Sequence, residues 1–261
     1  MMRLALALLI SLIVAAESQA KVVTKTVPYR HNGVSLEGYL AYDDAIKGKR
    51  PGVLIVHEWW GLNDYARRRA EQLAAMGYQA FALDMYGKGK VTQHPNQAAE
   101  WMNQINQNID TWRKRALAGL EVLANAPNTD KKRMAAIGYC FGGATVQQLA
   151  YSGADLKGVV SFHGSLISPT NIRAGDVKAK IMISHGSADP FVQPAQVQHY
   201  LAEMEKSGLD WQMIFYGGAK HSFTNPDADK VGMAALSYNK SADHRSWRYM
   251  KMFFDRIFAK K

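Results

Sequence analysis

The stretch Arg133-Met-Ala-Ala-Ile-Gly-Tyr-Cys-Phe-Gly-Gly-Ala-Thr145 decides the fold. An apolar run typical of a buried strand leads directly into Gly138-x-Cys140-x-Gly142-Gly143, and an apolar helical pattern follows. Strand, tight turn and helix form the setting of a nucleophile elbow, because glycines without Cβ atoms allow the turn to close around a strained central residue. The stretch therefore predicts a nucleophilic Cys140 at the carboxyl edge of a sheet, the alternative being a buried structural cysteine.

Strand-like and helix-like segments alternate on both sides of this stretch. A hairpin around Asn32-Gly33 opens the pattern, and Asn-Gly between apolar segments is a strong hairpin signal. Predicted strands then lie at 52–56, 79–83, 133–138, 158–162, 180–184 and 211–216, and predicted helices at 64–76, 96–124, 142–152, 194–206 and 241–258. This alternation predicts an α/β fold, with a mostly parallel central sheet covered by helices on both faces.

Residues 1–20 have the features of an export signal. Arg3 supplies the positive charge, residues 4–16 an apolar run, and Ser18-Gln-Ala20 a cleavage site of the small-x-small type. The apolar run is shorter than the roughly 20 residues that a membrane span requires. We expect a periplasmic or secreted protein whose residues 21–261 form a single domain, with a retained N-terminal anchor as the alternative.

Composition limits the other possibilities. With 48% hydrophobic and 21% charged residues, the chain is expected to be globular rather than disordered. The formal charge is +10, but the positive residues are scattered, which argues against nucleic acid as a partner. No run after residue 20 is apolar enough for a membrane span. The single cysteine excludes an intramolecular disulfide and favours a chemical use for Cys140.

The residues that follow the later strands supply partners for this thiol. Asp189 comes after the predicted strand 180–184, and His221 comes after 211–216. The order Cys140, Asp189, His221 is the nucleophile–acid–histidine order of the α/β-hydrolase fold. Histidine can accept and return a proton near neutrality, and the aspartate would hold it in the useful tautomer. Taken singly, Asp189 could be a turn former and His221 a loop residue.

The loop after the first parallel strand reads His57-Glu58-Trp59-Trp60-Gly61. The zinc motif H-E-x-x-H requires a second histidine where Gly61 stands, so no metal site is predicted. The position of the loop predicts part of an oxyanion hole, whose other donor is the N–H of Phe141, the residue after the nucleophile.

Together these motifs resemble the dienelactone hydrolase family. The resemblance rests on Gly-Tyr-Cys140-Phe-Gly-Gly, His-Glu58-x-x-Gly-Leu-Asn, Ala188-Asp189-Pro190 and His221-Ser-Phe223, and it runs in order along residues 21–261. It implies an α/β-hydrolase fold, hydrolysis of small esters or enol-lactones through a thiol-ester intermediate, and no cofactor. The implied catalytic residues are Cys140, Asp189, His221 and Glu58, with Trp59 and Phe141 as the oxyanion donors. Glu58 would pair with the thiol and take up its proton when substrate arrives.

Two positions depart from the family pattern. Where its dienelactone enzymes hold the substrate carboxylate with two arginines, this chain has Lys88 and Asn225. Lysine lacks the bidentate fork of arginine and asparagine is neutral, so we expect neutral, aromatic or hydrophobic esters as substrates. The expected substrate contacts are Trp60, Tyr86, Lys88, Phe223 and Asn225. An acyltransferase or thioesterase with the same triad remains open, as does a non-catalytic binding protein.

Overall fold

The apolar strand segments pair into one eight-stranded sheet in the computed structural model, which describes residues 21–170 and 172–259. The expected export signal lies outside the described residues. The strands are β1 (Val22–His31), β2 (Val34–Asp43), β3 (Arg50–Val56), β4 (Gln79–Leu83), β5 (Thr129–Tyr139), β6 (Gly158–Phe162), β7 (Lys180–Gly186) and β8 (Trp211–Tyr216). Their order across the sheet is β1-β2-β4-β3-β5-β6-β7-β8.

The hairpin β1–β2 is the antiparallel part of the sheet. Asn32 and Gly33 both have positive φ, 49° and 77°, as a two-residue turn of type I′ requires. The strand β2 also pairs antiparallel with β4, whereas β3 to β8 pair in parallel. The predicted mostly parallel α/β sheet is confirmed.

In the described part of the chain, six α-helices pack on or beside the two faces of this sheet: α1 (Asp64–Ala75), α2 (Pro95–Asn106), α3 (Ile109–Asn125), α4 (Phe141–Tyr151), α5 (Pro194–Ser207) and α6 (Lys240–Phe258). Alternate residues of β3 point to opposite faces, as the two-residue period of a strand dictates. Leu54 and Val56 pack into the core that includes residues of α3, α4 and α5. Val53 and Ile55 pack into the core beneath α1 and α6.

Parallel pairing brings the carboxyl ends of β3, β5, β7 and β8 to one edge of the sheet. Glu58 lies just after β3, and Cys140 directly follows β5. Asp189 lies just after β7, and His221 lies on the loop that follows β8. This is the edge at which an open α/β sheet binds its ligands.

The single predicted helix over 96–124 is wrong, because the structure divides it into α2 and α3. Asn108 has extended backbone angles, and its side chain accepts a hydrogen bond from the Thr111 N–H at 2.9 Å. Asparagine competes in this way with the backbone bonds of a continuing helix, and therefore it begins a new one. The apolar period runs through both helices, so it does not reveal the break.

Within the described ranges, none of the helices combines the length and the apolar character needed to span a bilayer.

Replacing the α3 cap gives a prediction for stability. Asn108→Ala should lower the free energy of unfolding by about 1 kcal/mol, because the N–H of Thr111 loses its acceptor. Asn108→Ser should retain most of the stability, since serine caps helices about as well. Urea unfolding followed by circular dichroism measures both. Equal stability of the alanine and serine variants would contradict the capping role.

Candidate active site

The turn at Cys140 joins β5 to α4 in a conformation that few side chains adopt. Cys140 has φ 54° and ψ −117°, and it is the residue that precedes the first turn of the helix. A Cβ atom on Gly138 would lie 2.0 Å from the carbonyl oxygen of Gly142. One on Gly142 would lie 2.2 Å from the carbonyl oxygen of Val56. The glycines are therefore required by the close approach of three backbone segments, and the turn leaves the thiol half-buried over the sheet edge.

Asp189 and His221 form a buried hydrogen-bonded pair beside this turn. The distance from His221 Nδ1 to Asp189 Oδ2 is 2.7 Å. The other carboxylate oxygen, Oδ1, accepts the backbone N–H of Phe191 at 2.9 Å, which fixes the orientation of the carboxylate. With Nδ1 engaged by Asp189, Nε2 is the nitrogen available to the thiol.

Charge interactions favour the protonated form of His221. Burial opposes a charge on this imidazole, but the interaction with Cys140 and the hydrogen bond to Asp189 outweigh burial and raise the pKa of His221 to about 10. An imidazole that holds its proton in this way can return it to a leaving group.

Cys140 and His221 share one cavity of about 570 Å³ above the sheet edge. Among the described residues, none of the lining side chains is Lys, Arg, Asp or Glu; the lining consists of Trp59, Met102, Asn106, Trp112, Cys140, Phe141, Ala144, Ser165, Ile167, Phe191, His221 and Leu236. Phe141 is the first residue of α4, where backbone N–H groups have no partner within the helix. The expected oxyanion donors Trp59 and Phe141 both lie at this cavity. It can thus receive an uncharged, apolar group next to a thiol and an imidazole.

Glu58 is buried and makes contacts other than those expected. Its carboxylate accepts hydrogen bonds from the Ser222 hydroxyl and from Asn225 Nδ2, each at 2.7 Å, whereas the expectation was a pair with the Cys140 thiol. Burial raises the pKa of Glu58, opposed by these two hydrogen bonds and by the positive charges of His221 and Arg69. In this conformation the carboxylate interacts with the charge of His221 rather than bonding to the thiol.

His57 fixes the backbone of this loop. Its Nε2 accepts the N–H of Met85 at 3.2 Å, so the neutral ring carries its proton on Nδ1 and donates it to the Glu58 carbonyl oxygen at 2.5 Å. Burial lowers the pKa of His57, which favours the neutral ring. The His-Glu dipeptide thus orients a loop. No group of three or more His, Cys, Asp or Glu side chains in 21–170 and 172–259 could hold a metal ion.

Comparison with known proteins identifies the family of this chain. The model of the dienelactone hydrolase family matches residues 36–258. The chain belongs to that family. The solved structure of m3DLH is 39% identical and superposes with a TM-score of 0.87, covering 91% of this chain and 99% of that chain. A structure described as a dienelactone hydrolase-like promiscuous phosphotriesterase from metagenomic libraries is 36% identical, with the same TM-score and the same coverage.

Curated relatives align over similar lengths. "Protein usf" of Aquifex pyrophilus is 29% identical over 233 residues, which is 87% of this chain and 96% of the relative. A "Putative carboxymethylenebutenolidase" of Aquifex aeolicus is 28% identical with the same coverage. The chain is therefore a dienelactone hydrolase-like enzyme, a hydrolase of ester bonds.

Lys88 and Asn225 stand where the resemblance implies substrate-binding arginines, and neither of them lines the cavity. Lys88 is exposed and pairs with Glu37 at 3.0 Å. Asn225 is buried, and its side-chain amide donates a hydrogen bond to the Glu58 carboxylate. Both were expected to touch the substrate, but in the structure the polar group of each is engaged by another residue.

The three aromatic residues expected at the substrate are also absent from the lining of the cavity. Trp60 packs under Trp59, with ring centroids 4.7 Å apart. Tyr86 is buried against the ring of Phe141 at 5.7 Å. Phe223 is completely buried and packs on Tyr216. Burial of their apolar surface turned these side chains inward, and they support the residues that line the cavity.

Sequence reasoning missed most of the residues that do line the cavity. Met102 and Asn106 belong to the end of α2 and Trp112 to the start of α3, on either side of the unpredicted break. Ile167 and Leu236 lie on loops without a recognisable motif. A helix start signal at Asn108 was present in the sequence and could have revealed the break.

Neutralising Glu58 gives a prediction for the site. Glu58→Gln should fold, because a glutamine can accept from Asn225 and donate to Ser222. The loss of a negative charge that favours the imidazolium should lower the pKa of His221, shift the pH dependence of Cys140 alkylation, and slow turnover by about ten-fold, the equivalent of one pK unit. Alkylation rates against pH and steady-state kinetics measure these effects.

Ser222→Ala is the matched control, since it removes a hydrogen bond from the same carboxylate but keeps the charge. Its alkylation profile should shift less than that of Glu58→Gln. Unchanged alkylation and unchanged turnover in Glu58→Gln would leave the carboxylate with a purely structural role.

Proposed function

We propose that this enzyme hydrolyses small neutral esters or lactones through a thiol-ester acyl-enzyme on Cys140. The observation that carries the proposal is the shared cavity, in which the thiol and the Asp189–His221 pair meet a surface without charged side chains. Family membership alone leaves the nucleophile and the substrate class open.

In the acylation step, the proton of the thiol resides on His221 Nε2, which holds it as an imidazolium, while the Cys140 sulfur attacks the carbonyl carbon of the substrate. Negative charge then develops on the carbonyl oxygen, where the N–H groups of Phe141 and Trp59 donate hydrogen bonds to it. The C–O bond to the leaving group breaks as the imidazolium returns its proton to the departing oxygen. Asp189 keeps the imidazole in the required tautomer and stabilises its cation.

In the deacylation step, a water molecule replaces the leaving group. His221 removes one proton from this water, and the oxygen attacks the thiol-ester carbonyl carbon. Collapse of the second oxyanion breaks the C–S bond and returns the proton to the Cys140 sulfur. An ester yields a carboxylic acid and an alcohol, whereas a lactone yields one molecule that carries both the carboxyl and the hydroxyl group. With an acceptor other than water the same steps would transfer the acyl group.

The proposed location is the periplasm or the exterior of the cell. The charged start, apolar run and small-x-small site of residues 1–20 support it.

The triad variants test the catalytic part of the proposal. Cys140→Ala and His221→Ala should each lower kcat by about three or more powers of ten, because nucleophile and proton carrier act as one unit. Asp189→Asn should retain somewhat more activity, since it disturbs orientation and charge rather than the proton carrier. Steady-state kinetics on an aryl ester measures the losses, and circular dichroism confirms that each variant is folded.

Mass spectrometry of the wild-type enzyme with a slowly hydrolysed ester should find the acyl group on Cys140. Full turnover by Cys140→Ala, or an acyl adduct on another residue, would refute the assignment of the nucleophile. An acyl-enzyme that reacts only with an added alcohol or thiol would identify an acyltransferase. If alkylating reagents modify Cys140 but the protein turns over none of the esters, the protein is a binding protein and not an enzyme.

The choice of substrate gives a further prediction. Each lost charge-assisted hydrogen bond to a buried carboxylate costs on the order of 1.5–3 kcal/mol, or at least about ten-fold in binding. We therefore expect kcat/KM for a neutral aryl ester to exceed that for a free-carboxylate dienelactone of similar size by at least about ten-fold. Ser165→Arg, which adds a cation to an exposed position in the cavity lining, should raise kcat/KM for the anionic substrate relative to the neutral one.

A preference for the dienelactone in the unmodified enzyme would contradict this prediction. A neutral aryl phosphotriester belongs in the same panel, since a structural neighbour at 36% identity is described as a promiscuous phosphotriesterase. Such a compound fits an uncharged cavity for the same reason as a neutral ester. If the enzyme hydrolyses the phosphotriester but none of the carboxylic esters, the phosphotriester becomes the proposed substrate in their place.

A further inference from the structure

His163 lies between the loops that carry the nucleophile and the base. It follows β6 directly, is completely buried, and has a positive φ of 41°. The centroid of its ring is 5.3 Å from that of His221 and 5.2 Å from that of Phe223. The proposed catalytic steps do not use this imidazole, although its ring contacts that of His221 and its Nδ1 contacts the backbone of Cys140.

The hydrogen bonds of His163 have a fixed direction. The backbone N–H of Cys140 is shared between the carbonyl oxygen of Phe162 at 3.1 Å and His163 Nδ1 at 3.2 Å. Because an N–H can only donate, Nδ1 accepts and the neutral ring carries its proton on Nε2. That proton is donated to the hydroxyl of Thr224, with 2.6 Å between Nε2 and Oγ1.

Thr224 is held from its other side by a buried cation. Its hydroxyl lies 2.6 Å from the hydroxyl of Tyr65, which also accepts from Arg69 Nε at 3.3 Å. Arg69 donates a further hydrogen bond to the carbonyl oxygen of Thr224 at 2.7 Å and pairs with Asp243 of α6. The main chain and the side chain of Thr224 are thus both fixed.

The surroundings of His163 keep its ring neutral, as the acceptor role of Nδ1 requires. Burial lowers the pKa of His163 well below its usual value, and the neighbouring charges of His221, Arg69 and His185 act in the same direction. A protonated ring would carry a hydrogen on Nδ1 and would lose the bond from Cys140.

We propose that His163 and Thr224 are positioning residues that set the separation between the Cys140 turn and the His221 loop. The inference rests on the proposed use of Cys140 as nucleophile. Only two residues separate Thr224 from His221, so a fixed Thr224 restricts where the imidazole can lie. Cys140, His163 and Thr224 then form one bridge of two hydrogen bonds between nucleophile and base. Displacements of about 1 Å between reacting groups can cost about a hundred-fold in rate.

Variants of Thr224 test the bridge. Thr224→Val keeps the shape of the side chain but removes the hydroxyl, and it should lower kcat on a neutral aryl ester by about ten-fold while KM changes by less than about two-fold. Thr224→Ser keeps the hydroxyl and should recover most of kcat. Thr129→Val is the matched control, because Thr129 is buried at the far end of β5 and its hydroxyl has no hydrogen-bond partner among the described residues. It should leave kcat unchanged.

A double-mutant cycle then asks whether the two residues act as one unit. Asparagine tolerates the left-handed backbone at position 163, and its side-chain oxygen can accept the N–H of Cys140, but it is too short to keep the bond to Thr224. In the His163→Asn background, Thr224→Val should therefore cost less than about two-fold in kcat, compared with about ten-fold alone. Additive losses would show that the residues act separately, and would overturn the bridge.

Two further results would overturn the inference while leaving the proposed function intact. One is a kcat within two-fold of the unmodified enzyme in Thr224→Val. The other comes from nitrogen-15 NMR of the unmodified enzyme, which should place the proton of His163 on Nε2 whether or not the variants fold. A proton on Nδ1 would reverse the hydrogen bonds and exclude the bridge. Full activity of Cys140→Ala, by contrast, would remove the proposed function itself.

Discussion

The left-handed backbone of Cys140 is the constraint on which the rest of the site depends. The turn closes only because Gly138 and Gly142 allow backbone atoms to approach within distances that a Cβ atom would occupy. That closure ends β5 and starts α4 with Cys140 alone between them, so the thiol lies above the sheet edge and next to the free N–H groups of the helix. Glu58, Asp189 and His221 each lie on the loop that follows a strand, and these loops set their positions relative to the turn.

The site consists of two layers with opposite character. The upper layer is the cavity, whose lining is apolar or neutral apart from His221 and the thiol. The lower layer is a buried polar network in which Arg69, Glu58 and Asp243 each have hydrogen-bonded partners. Buried charges are tolerated only when they are paired, and here the pairing joins α1, α6 and the loop after β8. These charged residues therefore hold the loops of the site together, and none of the three lines the cavity.

The motifs of the sequence predicted the main features of the fold and the group of residues at the sheet edge. Strand bounds from β3 to β8 agree with the structure to within a few residues, because buried parallel strands give nearly continuous apolar runs. Of the expected substrate contacts, the aromatic residues Tyr86 and Phe223 lie on strand-end loops but pack inward, and their motifs do not reveal this burial. The break between α2 and α3 was missed for a related reason, because periodicity reports which side is apolar and not whether the helix continues.

By itself, the sequence determined the order of strands and helices, the strained turn and the residue types available for nucleophilic chemistry. These follow from local constraints, namely the period of apolar residues, the absence of Cβ atoms and the place of each residue after its strand. Only the tertiary structure decided that Asn225 binds Glu58, that Lys88 faces Glu37 and that Thr224 joins His163 to Arg69. Such pairings join residues far apart in the chain, and each depends on which competing partner lies within about 3 Å once the core has packed.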